Sequence, residues 1–390
     1  MRKLSFFLAP ILFVSMASCS RKEQSPAQAA LPSAVSWPHS PVKRQSIETC
    51  WIYAGIAWIE SLNMQAQSTS GEAALPDYSE AYLTLRFFEH QLSKSGTLDK
   101  LETLSHWGEF RYLVQTYGLM HEKDFRSKIS LSDERTIEQI ALEVLNESLA
   151  NGPLKSDRSN QTIRKELDRA FGVDSANLKV IKAWDINVRA GSRSFNLESL
   201  VSGMQMLGWD KETAQAPAEL PATTRYAELS LGRKETLKRV MRALNAGFPI
   251  LVSWFVDLNA VDASGTFQFN TLRNKGKGTT RGFHQSLIVD YSAQVKNPRD
   301  GTLLKIQEGA GFNPELLSLA AENGELETFI IKNSWGTKRE DRPLHSWQGN
   351  SGYHVLDASY LFSWLPLEKS GIEWSDRTST LIDFIIPQGY

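Results

Sequence analysis

Residues 50–64 read "CWIYAGIAWIESLNM", with no charge before Glu60. A helix that is apolar on nearly every face cannot lie at a surface, so the rest of the chain must pack around it. The small residues Ala54, Gly55 and Ala57 allow neighbours to approach closely. Thr49 is placed to act as the N-cap. Cys50 then falls in the first turn, where unpaired N–H groups and the helix dipole favour an anion. Such a setting lowers a thiol pKa, and the thiolate is the nucleophilic form. Glu48, two positions earlier, works against it. With 390 residues, 41% hydrophobic and 22% charged, the chain can enclose this helix in one large domain or two modest ones. A net charge of −1 gives no footprint for nucleic acid. The basic stretch "RNKGKGTTR", 273–281, reads as a surface loop.

The chain has two cysteines, and the other one lies near the start. Arg2 and Lys3 precede the short apolar run "LSFFLAPILFVSMA", which ends in "MASC" at Met16 to Cys19. This quartet resembles the lipobox of bacterial lipoproteins, although Leu is more usual where Met16 stands. The resemblance implies a signal peptide over 1–18, lipid on Cys19, and a polar tether over 19–35. It implies an exported protein held to a membrane. Ser20 offers no acidic retention signal, which by the same resemblance points to the outer membrane. A plain secretory signal is the alternative. With Cys19 lipidated, Cys50 is left as the only thiol of the mature chain, without a disulfide partner. It is then either a reactive thiol in an oxidising compartment or a small buried hydrophobe.

A nucleophilic thiol needs a base and an oxyanion hole. Of seven histidines, His284 stands at the start of a clear strand signal, "GFHQSLIVDY". A second strand in "ETFIIKNSWG", Phe329 to Lys332, delivers Asn333 into a turn. The three blocks "VKRQSIETCW", "GFHQSLIVDY" and "IIKNSWG" resemble, in order, the active-site blocks of papain-family cysteine peptidases. That resemblance implies Cys50 as nucleophile, His284 as its proton partner, and Asn333 as the group orienting the imidazole. It implies Trp335 as cover over the Asn–His bond and Gln45 as an oxyanion donor. Gln45 stands one position closer to the cysteine than in the family pattern. "DYSEAYLTLRFFEHQL" and "HWGEFRYLVQTYGLMHEKDF" resemble helical segments of bleomycin-hydrolase-like members. Leu104 and Ser105 stand where the family has two glycines that pair with substrate backbone, which puts that contact in doubt.

The resemblance implies an α+β, papain-like fold of two lobes over 36–390. A helical lobe, 36–125, surrounds the Cys50 helix. An antiparallel β lobe, 248–390, carries His284 and Asn333. Cys50 and His284 are 234 positions apart, against roughly 130–150 in the compact pattern. The extra chain, about 130–232, is expected as a mixed insertion, with helices at "DERTIEQIALEVLNESLA" and "TIRKELDRAF". "KETLKRVMRALNAG" reads as a further helix ended by Gly247. "NPRDGTLLK" and "AAENGELET" read as surface excursions. No cofactor is implied, and no metal-ligand spacing is present. The implied function is hydrolysis of peptide bonds in a peptide or protein substrate. The alternatives are an amidase or transamidase using the same triad, or a papain-fold lipoprotein serving as a binding scaffold.

Overall fold

The computed structural model describes residue 37 and residues 39–68, 76–94, 96–129, 135–209, 231–307, 313–339, 342–362 and 379–390. The expected signal peptide, Cys19 and the tether lie outside these.

Helix α1 runs Cys50–Gln67, and every residue from Cys50 to Leu62 is buried. The absence of charge before Glu60 is what permits this. Helices α2 (Glu80–Ser93) and α3 (Trp107–Tyr117) pack on it. Gly55 admits α3: a Cβ there would come within 2.4 Å of the Phe110 ring. Trp51 meets Phe87 edge-on at 4.9 Å, and Trp58 meets Trp107 at 5.8 Å. Ser79 caps α2 by accepting from the Tyr82 N–H at 3.2 Å. The cap expected from Thr49 does not form. Its backbone, φ −99° and ψ 25°, is not in the extended conformation from which a side chain reaches back. Its Oγ1 is buried with no hydrogen-bond partner among the described residues.

The described part of the stretch expected as an insertion, 135–209, divides between the two lobes. Helices α4 (Ile137–Asn151), α5 (Pro153–Ser156) and α6 (Asn160–Phe171) extend the helical lobe, with Phe171 against Phe88. The hairpin of β1 (Asn187–Ala190) and β2 (Arg193–Asn196) sits against α1 and leads into α7 (Leu197–Ser202). Gln65 of α1 fixes this junction. It accepts from the Gly191 N–H at 2.9 Å and donates to the Gly247 carbonyl at 2.8 Å. Gly247 needs its φ of +89°, and a Cβ there would lie 2.4 Å from the Gly191 nitrogen. Strand β3 (Met204–Gly208) then joins the sheet of the other lobe.

That lobe contains α8 (Leu231–Asn245), β4 (Ile250–Asp257), β5 (Thr266–Phe267), α9 (Phe269–Lys275), β6 (Arg281–Lys296) and β7 (Leu303–Ile306). It continues through α10 (Pro314–Asn323), β8 (Glu325–Lys332), β9 (His345–Trp347), β10 (Asn350–Asp357), α11 (Ala358–Phe362) and β11 (Leu381–Pro387). The sheet order is β3-β11-β4-β6-β8-β10-β5, with β7 on β6 and β9 on β10. Among the described residues β10 pairs with β5 in parallel and the other pairs of this sheet are antiparallel. The architecture is therefore α+β, a helical lobe around α1 facing an antiparallel sheet, as the resemblance implied. "NPRDGTLLK" is the β6–β7 turn with the first three residues of β7. "AAENGELET" is the end of α10 and the start of β8, with Ala320 and Ala321 buried, so it is not a surface excursion. The C-terminus docks beside α8, where Arg239 bonds the Tyr390 carbonyl and Phe248 meets the Tyr390 ring at 5.5 Å. The start of β11 lies elsewhere, at the cleft.

Candidate active site

Two neighbouring strands bring the histidine and the asparagine together. His284 stands on β6, opposite Trp254 of β4. Strand β8 runs beside β6 and ends at Lys332, which pairs with Leu287. Asn333, the next residue, is thereby delivered to the histidine. His284 Nε2 and Asn333 Oδ1 lie 2.5 Å apart, and both residues are buried. Nδ1 is left as the ring nitrogen available to a thiol. Asn333 Oδ1 also accepts from the Ser334 N–H at 2.9 Å.

Trp335 covers this pair, its ring centre 4.7 Å from that of His284. The Arg342 guanidinium lies 4.8 Å over the Trp335 ring. Cys50, at the start of α1, and His284 line one cavity of about 320 Å³ with Leu104, Ser105, Asp383 and Gln285. Leu104, 42% exposed, and Ser105 form part of its wall, held by the Trp51 indole donating to the Thr103 carbonyl at 2.9 Å. Bulk stands where the family resemblance has glycine.

Gln45 is tied at both ends. Its backbone N–H donates to the Ser334 carbonyl at 2.9 Å, its Oε1 accepts from the Ser334 hydroxyl, and its Nε2 donates to the Ile47 carbonyl at 3.0 Å. Gln45 does not line the Cys50 cavity. One of its two amide hydrogens is thus committed to the turn that the shortened spacing creates.

The electrostatics correct one sequence expectation. The Cys50 thiol is pushed up, to about 11, because burial penalises the thiolate. The N–H groups of Gln285, Trp51 and Cys50 itself oppose this without matching it, and Glu48 adds to the rise. The helix N-terminus helps the anion, but desolvation outweighs it. Burial likewise pushes His284 down to about 4, against the favourable bond to Asn333, with Arg342 lowering it further. Each group alone is held neutral.

Behind the site lies a buried ionic chain that the sequence reading missed. Lys332 donates to the Ser40 hydroxyl at 2.6 Å, and Ser40 donates to Glu60 of α1 at 2.5 Å. Glu60 also accepts from the Tyr78 N–H at 2.8 Å and faces Lys43 at 3.3 Å. Lys43 reaches Asp77 at 2.8 Å and Glu80 at 3.0 Å. The end of β8 is thereby fastened to the middle of the Cys50 helix. The charge ending the apolar run was the available signal. His354 of β10, also missed, is buried with its Nδ1 3.4 Å from Asn333 Nδ2.

No family model matches the chain, and no curated protein matches it. Among solved structures, the fold is similar to PepW from Lactobacillus rhamnosis, at a TM-score of 0.45 and 13% identity over 90% of this chain and 81% of that one. It is similar to xylellain, a cysteine protease from Xylella fastidiosa, at a TM-score of 0.36 and 13% identity over 91% and 85%. It is also similar to the bromelain protease from Ananas comosus, at a TM-score of 0.32 and 14% identity over 90% and 93%.

Proposed function

We propose that this chain is a cysteine-type peptidase. The observation that carries the proposal is the bond from His284 to Asn333 in the wall of the cavity that Cys50 also lines. Cys50 Sγ attacks a peptide carbonyl as its proton passes to His284. The C–N bond breaks, and the imidazolium gives that proton to the leaving amine. Water, deprotonated by the neutral imidazole, then cleaves the thioester and releases the acid with a free thiol. Asn333 holds His284 in the orientation that serves both transfers, and Trp335 keeps water from their bond. The oxyanion falls to the Cys50 N–H at the start of α1. The substrate is a peptide or protein, and a lipid on Cys19 ties the enzyme to the outer membrane.

Cleavage of a mixed peptide library by the purified protein, with Cys50→Ala in parallel, tests this. Wild type should cleave and Cys50→Ala should not. Cleavage by both would mean a different nucleophile. If neither cleaves peptides, the bulk of Leu104 at the cleft favours the scaffold reading, or an amidase acting on another amide.

A further inference from the structure

Strand β10 runs antiparallel to β8, with His354 opposite Ile331 and Tyr353 opposite Lys332. Its residues from Gly352 to Leu356 are all buried, and His354 is 0% exposed. An imidazole wholly inside an apolar strand is costly unless its nitrogens have work to do. Nδ1 faces Asn333 Nδ2 at 3.4 Å. An amide nitrogen only donates, so Nδ1 must accept and the ring proton must sit on Nε2. Nε2 makes no close hydrogen bond among the described residues, and the Pro343 carbonyl is the acceptor that favours a proton on the ring. Its surroundings are the rings of Trp335, edge-on at 5.1 Å, and Phe267 at 5.6 Å.

The Asn333 amide can be turned over with almost no change of shape, so its partners must choose its orientation. On the oxygen side stand the Ser334 N–H and His284 Nε2. On the nitrogen side stands His354. Turned over, the amide would present N–H to His284 Nε2, which carries N–H when the ring is an imidazolium. The orienting bond would become a repulsion.

We infer that His354 is a positioning residue for the triad: by accepting from Asn333 Nδ2 it holds the asparagine oxygen on His284. This rests on the peptidase reading above. Burial pushes His354 down to about 3, and Arg342, His284 and His345 lower it further, against the Pro343 carbonyl. These are the charged and titratable groups that face it; Phe267 of β5 and Trp335 supply apolar surface. The ring therefore stays a neutral acceptor throughout the range in which His284 and Cys50 exchange a proton.

Asn and Leu have nearly the same shape, and Asn places an oxygen where His places Nδ1. The test is the pH dependence of peptide hydrolysis and of Cys50 alkylation by iodoacetamide in wild type, His354→Leu and His354→Asn. His354→Leu should slow hydrolysis about tenfold, the effect of one lost hydrogen bond, and move the alkaline limb down by about one pH unit. The limb falls because the imidazolium loses its acceptor. His354→Asn should restore both. A merely structural role would lower the active fraction and leave the limb in place. If wild type shows a His284-dependent limb and both variants share it, the inference is overturned while the peptidase reading stands. If wild type shows no such limb, both fall. Should His354→Leu not fold, the ¹⁵N shifts of the His354 ring in wild type decide the matter. A proton on Nε2 supports the assignment, and a proton on Nδ1 overturns it.

Discussion

At the scale of single residues, burial drives Cys50 and His284 each towards neutrality, and in the proposed mechanism a thiolate forms only as an ion pair with the imidazolium. His284→Ala should therefore leave something less reactive than an ordinary thiol. With its thiol pushed up to about 11, Cys50 in that variant should alkylate negligibly below about pH 9. Wild type should alkylate readily at pH 6–7. The sign follows from the cause, because burial raises an acid whose charged form is the anion. Rates of iodoacetamide labelling against pH check this, and identical profiles would mean that His284 does not activate the thiol. That Cys50 and His284 line one cavity and that Asn333 reaches His284 was legible in the sequence because each stands in a short block with its own local signal. His354 was not, because its role depends on the register of β10 against β8, and a lone histidine in an apolar strand carries no mark of its neighbour. The bonds that tie Gln45 to Ser334 and Ile47 were hidden for the same reason.

At the scale of elements, the site depends on α1 and β8 keeping a fixed relation. The ionic chain from Lys332 through Ser40 to Glu60 is the polar tie between them. Burial already pushes Lys332 down to about 8, although Glu60 opposes this. Glu60→Ala should push it lower, leave the Ser40 hydroxyl without its acceptor and Lys332 without the Glu60 charge that opposes its deprotonation, and cost about 3 kcal/mol of stability. Urea unfolding measures this, and a midpoint within experimental error of wild type would show that the tie contributes nothing. The apolar helix itself was readable from its composition. Strand β3 was not, because it is a short edge strand whose partner, β11, lies at the far end of the chain. Helix α10 was obscured because its buried face is made of Leu317, Ala320 and Ala321 among polar residues, a weak apolar stripe.

At the scale of the whole molecule, the two-lobed plan was legible because three separated blocks had to meet at one cleft. The division of 135–209 between the lobes was not, since nothing local marks which lobe a segment will join. Cys19 lies outside the described residues, and its lipidation has its own measurement. Mass spectrometry of the mature N-terminus should find acylated Cys19, and Cys19→Ser should stay uncleaved or be released unacylated. An unmodified wild-type N-terminus cut at another bond would make this a secreted enzyme without an anchor. The proposed chemistry turns on one bond formed inside the cleft. Acid quenching during turnover of a peptide ester, followed by mass spectrometry of the digested protein, should find the acyl group on Cys50 as a thioester. The adduct should be absent in Cys50→Ala. Hydrolysis that proceeds in Cys50→Ala, or an acyl group trapped on another side chain, would contradict the account.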